Sequence, residues 1–142
     1  MARRPEGWRA RLNTFIASNL DRPFAWGEFD CCVGLFSGAY EAVTGDSILD
    51  EYRGEYDTEQ GAFALLKRDG FATPADLITS KLGPRRHKSR VRVGDACLYR
   101  GCIGVYTARG ARFIGCDRLG DAFTADGLIL IPRTDLEYIW HV

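Results

Sequence analysis

At 142 residues the chain has the length of one domain, enough to bury a core without disulfide or metal staples. Lysine plus arginine and aspartate plus glutamate balance at 19 each, which excludes a global field that would draw the protein onto nucleic acid or an anionic surface. The apolar fraction is ordinary for a globular protein and the longest uninterrupted apolar run, Leu128 to Pro132, is strand-sized, so membrane insertion is not expected.

Arg3 and Arg4 have no apolar stretch behind them, so a secretory leader is not expected and the chain reads as one made in a cytoplasm. Trp8, Leu12, Phe15 and Ile16 recur at helical spacing and predict an amphipathic helix near residues 6–19. Pro23 and Gly27 among aromatics make Leu20 to Phe29 an ordered loop. Asp30 is placed to cap a second helix whose apolar positions are Cys32, Leu35, Phe36, Ala39, Tyr40 and Val43, with Gly45 suited to a left-handed end. An acidic loop follows, with Asp46, Asp50, Glu51 and Glu55 against Arg53. Asp57 and Gln60 have the spacing of a capping box for a third helix to Arg68, closed by Asp69-Gly70. Thr73-Pro74 opens a short fourth helix that Gly83-Pro84 stops.

From Val91 the period changes to that of strands: Val91-Arg92-Val93, Ala96 to Tyr99, Ile103 to Thr107, Arg112 to Cys116, and Leu128 to Ile131, with turns at Arg100-Gly101 and Arg109-Gly110. Helices first and an antiparallel meander after them predict a single α+β domain over residues 1–142, with the helices on one face of the sheet. Trp140 is expected to pin the C-terminal segment to the core.

The five cysteines do not space like a disulfide framework: Cys31 and Cys32 adjoin, and Cys97, Cys102 and Cys116 lie far downstream. With no C-x-x-C pair and two histidines, a zinc site through Cys97, Cys102 and Cys116 lacks a fourth ligand, so no metal or cofactor is expected. They read as small buried apolar residues in a reducing compartment. Cys31 differs in standing at the first turn of a predicted helix, where unpaired N–H groups favour thiolate, the reactive form.

Three segments in order carry a family likeness: Asp30-Cys31 opening a helix, the Gly94-Asp95 turn, and Ile103-Gly104-Val105-Tyr106 in the following strands. Together they resemble the NlpC-type, papain-like cell-wall cysteine peptidases. Trp26-Gly27-Glu28-Phe29-Asp30-Cys31, Thr44-Gly45 and the closing Ile139-Trp140-His141-Val142 resemble the bacteriophage tail-tip branch, so the likeness spans residues 8 to 142. The resemblance implies a papain-like α+β fold with Cys31 in the nucleophile position. The family's catalytic histidine would stand at position 102, where this chain has Cys102, and its orienting polar residue would fall near Gly115 to Asp117, with Asp117 the candidate. A thiol cannot replace imidazole as a near-neutral base. His87, inside the basic run Arg85-Arg86-His87-Lys88-Ser89-Arg90, and His141, the penultimate residue, are not expected to serve.

The resemblance therefore implies a virion tail-tip protein, structural and catalytically degenerate, with other tail-tip or hub proteins as partners. The alternative is an active peptidoglycan-cleaving cysteine peptidase or amidase working during DNA entry, with peptidoglycan peptides as substrate and Cys31 attacking the amide carbonyl. The basic run reads as a solvated loop rather than a contact for an anionic cell-wall polymer or an acidic neighbouring subunit. The rings Phe24, Trp26 and Phe29 read as sealing the helix–sheet joint rather than flooring a cleft.

Overall fold

The computed structural model describes residues 3–114, 118–119, 122–123 and 127–142. Its first half is helical and its second half an antiparallel sheet, the α+β arrangement expected. Helix α1 (Trp8–Asn19) buries Leu12 and Ile16 and half-buries Trp8 and Phe15. It packs on α2 (Ser37–Thr44), where a Cβ at Gly38 would stand 2.3 Å from the Phe15 ring, so glycine permits the close crossing.

The second helix does not begin as an α-helix. Cys31–Phe36 forms a π turn in which the Leu35 N–H donates to the Asp30 carbonyl at 2.9 Å. The wide turn lays Gly34 on the backbone of the preceding loop, where a Cβ would come within 2.4 Å of the Phe29 Cα. Asp30 caps it as anticipated, accepting from the Cys32 N–H at 3.1 Å and the Val33 N–H at 2.9 Å. Gly45 ends α2 at φ 81°, its N–H donating to Glu41.

Helix α3 (Glu59–Arg68) is capped by Thr58 rather than Asp57: the Thr58 Oγ1 accepts from the Gly61 N–H at 3.0 Å, so the helix starts one residue later than the capping-box spacing suggested. Thr73 caps α4 (Pro74–Leu82) as expected.

The strands are β1 (Ala96–Tyr99), β2 (Cys102–Thr107), β3 (Gly110–Phe113), β4 (Arg118–Leu119), β5 (Ala122–Phe123), β6 (Ile129–Ile131) and β7 (Tyr138–Trp140). Five of them form one antiparallel sheet in the order β6-β3-β2-β1-β7, and β4 pairs with β5 separately. The β1–β2 turn has positive φ at both Arg100 and Gly101, the pattern of a tight hairpin, and sets Tyr99 opposite Cys102. Helices cover one face, with Leu35, Ile78, Ile103, Val105 and Trp140 in the shared core. The other face carries Cys97, Ala111, Phe113 and Ile139 under Val91 and Leu136.

Two strand assignments are corrected. Val91-Arg92-Val93 forms no strand, because the Asp95 carboxylate takes the Arg92 N–H at 2.9 Å and the Arg4 guanidinium takes the Val93 carbonyl at 2.7 Å. The segment expected from Arg112 to Cys116 is shifted to Gly110–Phe113, and Cys116 lies outside the described residues. β7, beside β1, was not anticipated as a strand, although Trp140 does anchor it: the indole is fully buried and its Nε1–H donates to Thr79 Oγ1 at 3.0 Å. Among the described residues no helix is long and apolar enough to cross a membrane.

Candidate functional site

Cys31, first residue of the π turn, and Cys102, first residue of β2, meet in an apolar cleft. Their thiols are hydrogen-bonded, and the Cys32 Sγ lies 3.7 Å from the Cys31 Sγ. Phe24, Trp26, Tyr56 and Phe63 form the aromatic wall of a cavity of about 120 Å³. Phe24 and Trp26 thus face the cleft, with rings edge-to-face at 4.7 Å, whereas Phe29 is buried at the joint under the Arg22 guanidinium. The sealing role assigned to the three rings holds for Phe29, while the cleft role belongs to Phe24 and Trp26.

Asp30 sets the electrostatics beneath the thiols. Its carboxylate is 2% exposed and accepts from the N–H groups of Gly27, Cys32 and Val33 and from the Tyr56 hydroxyl. Burial first, and then the Asp30 charge, push the Tyr56 phenol far above its usual range, so Tyr56 stays a proton donor to Asp30. The positive helix start is therefore already occupied by a carboxylate. The Cys31 thiol is pushed well above its ordinary value, chiefly by its hydrogen bond to Cys102 and further by burial and the Asp30 charge; the Cys32 contact offsets part of this. Cys32 shifts the same way, through its bond to Cys31 and through burial. The helix-start N–H groups of Cys32 and Val33 that could favour a thiolate are taken by Asp30.

Neither histidine reaches this cleft. His87 is exposed and caps a short 3-10 turn, Lys88–Arg90, its Nδ1 accepting from the Ser89 N–H at 3.1 Å. His141 is ordered against the fold, its Nδ1 2.9 Å from Asp95 Oδ2. Asp95 stands opposite Tyr106, to which it is hydrogen-bonded, and Tyr106 is four residues along β2 from Cys102. At roughly 3.3 Å per residue that is about 13 Å of strand, so His141 sits at the opposite end of the sheet from the thiols.

Asp117, the candidate orienting residue, lies outside the described residues. Cys97 packs against the sheet face away from the helices, its thiol raised by burial and then by Asp95. Among the described residues no group of His, Cys, Asp and Glu is arranged to hold a metal ion. The sequence reading missed Tyr56 and Phe63, which reach the cleft from 25 or more residues beyond Cys31, and missed the partnership of Arg4 and His141 with Asp95.

Comparison with curated proteins and with solved structures finds no match. A family described as "Domain of unknown function (DUF6950)" matches residues 3–142. The chain therefore belongs to the DUF6950 family.

Proposed function

We propose that this protein is a structural subunit of a bacteriophage tail tip, with a cell-wall peptidase-like fold whose hydrolytic site lacks a base. The phage setting rests on the order of its motifs: Trp26-Gly27 before Asp30-Cys31, then Gly94-Asp95, Ile103-Gly104-Val105-Tyr106 and the closing Ile139-Trp140-His141-Val142. The loss of chemistry rests on one observation: the partner that faces the Cys31 thiol is another thiol, Cys102. A cysteine hydrolase needs a group that takes the proton from sulfur and returns it to the leaving amine near neutral pH. A thiol standing where the imidazole would be supplies no near-neutral base, and both imidazoles of the chain are engaged elsewhere.

Purified protein incubated with cross-linked peptidoglycan peptides should release no new amine or carboxyl ends. Phage carrying Cys31→Ala should assemble tails of normal yield and infectivity. Turnover of wall peptides that disappears in Cys31→Ala would overturn the structural reading and install the hydrolase in its place.

A further inference from the structure

We propose that the cleft accepts Tyr138 of a second copy of this chain, so that copies join head to tail. The inference rests on the assembly role proposed above and supplies its contact.

One side of the contact is the cleft together with the acidic segment that supplies part of its lining, in which Glu51 is already paired with Lys81 at 2.7 Å. Leu49, Tyr52, Tyr56 and Glu59 contribute to its lining, and the segment from Asp46 to Glu59 that supplies them carries six carboxylates against one arginine. Asp46, Asp50, Glu51, Glu55 and Asp57 are exposed. Within the cleft, Phe63 leaves 44% of its surface in solvent. The space is slightly smaller than a ring needs: an apolar cavity of about 150 Å³ holds benzene, and this one measures about 120 Å³, so a ring would enter only in part.

The other side presents that ring among cations. Tyr138, on the edge strand β7, is 46% exposed with the Arg85 guanidinium 5.1 Å from its ring centre. The basic run is held against β7 by paired backbone bonds between Arg86 and Ile139, at 2.8 and 3.0 Å, which keeps Arg85 beside the tyrosine. A chain of zero net charge thus carries an apolar socket beside an acidic segment and a basic, ring-bearing knob. Copies do not repel overall, and the two patches attract. The patches differ, so the contact is heterologous and closes into a ring or continues as a filament.

Sedimentation velocity of the full chain tests this, across about 5 to 500 µM and at about 50 and 500 mM salt, where screening lengths differ severalfold. Self-association is expected at low salt and should be lost at high salt. Tyr138→Ala should weaken it by at least about 10-fold, as for an aromatic anchor at the centre of an interface. Arg85→Glu/Arg86→Glu and Glu55→Lys/Asp57→Lys should each leave monomers, and mixing the two should restore association, which also shows that both variants fold. A wild-type chain monomeric throughout, association indifferent to salt or to Tyr138→Ala, or a mixture that stays monomeric would overturn the proposal. Binding of a basic, tyrosine-bearing peptide by a monomeric chain would give the socket to a foreign partner instead. Cleavage of wall peptides would sink the structural reading without touching this measurement, whereas an inert but monomeric chain would sink only the docking.

Discussion

Asp95→Ala should be among the most damaging single substitutions in this chain. The carboxylate has no exposed surface and accepts from Arg4 Nη2 at 3.2 Å, the Arg92 N–H at 2.9 Å, the Val142 N–H at 3.0 Å and His141 Nδ1 at 2.9 Å. Breaking a buried ion pair from one side costs about 3–5 kcal/mol, because the remaining charge keeps its desolvation penalty. Arg4 retains the carbonyls of Val93 and Val142 and is 18% exposed, which points to the lower end, about 3 kcal/mol. The stranded N–H groups of Arg92 and Val142 add about 1 kcal/mol. A total near 4 kcal/mol corresponds to a fall in Tm of about 12 °C for a chain of this size. Thermal unfolding followed by far-UV circular dichroism measures it. Arg4→Met combined with Asp95→Ala should be no less stable than Asp95→Ala alone, since it removes the orphaned charge. A drop below about 3 °C for Asp95→Ala, or strict additivity in the double variant, would refute the reasoning.

Alkylation of Cys31, followed by mass spectrometry, should be slow at neutral pH and still accelerating above about 8.5, where an ordinary thiol is half ionised. Cys102→Ala should bring the profile back towards that value, and a wild-type profile levelling near 8.5 would contradict the thiol pairing. The same shifts act on stability. Cys31, Cys32 and Cys97 hold their protons more tightly folded than unfolded, so their contribution is complete below the unfolded thiol value and fades as pH rises through the folded values. Denaturant midpoints should therefore decline in mildly alkaline buffer, beyond about pH 8.5. Gly34→Ala should destabilise by about 3 kcal/mol, because the new methyl meets the Phe29 backbone rather than a side chain that can swing away. A urea midpoint matching wild type would show that the π turn relaxes without penalty.

The elements most legible in the sequence were those whose cause lies within a few residues. Asp30, Thr73-Pro74 and Gly45 mark helix ends because the capping oxygen or the left-handed residue sits beside the groups it satisfies. Arg100-Gly101 marks its hairpin for the same reason. What escaped depends on distant partners. Tyr138–Trp140 becomes a strand only because β1 offers a free edge some 40 residues earlier, and Val91–Val93 fails to become one because Arg4 and Asp95 take its polar groups. The π turn goes with the close approach of Gly34 to Phe29, which no periodicity reports. At the site, Cys31 and Cys102, far apart in the chain, line one cleft. Local reasoning did not show that the helix-start N–H groups near Cys31 are taken by Asp30, supported by Tyr56 from 26 residues away.

The bonds of Arg4 to the Val142 carbonyl, at 3.0 and 3.1 Å, bear on how the fold would carry mechanical load. With residue 4 fastened to residue 142, and both to Asp95, a pull applied through the two ends is short-circuited across one clasp. Helices and sheet feel no tension until that clasp opens. After that, β7 meets the load on the C-terminal side, held by β1 along one edge and by the Arg86 backbone along the other.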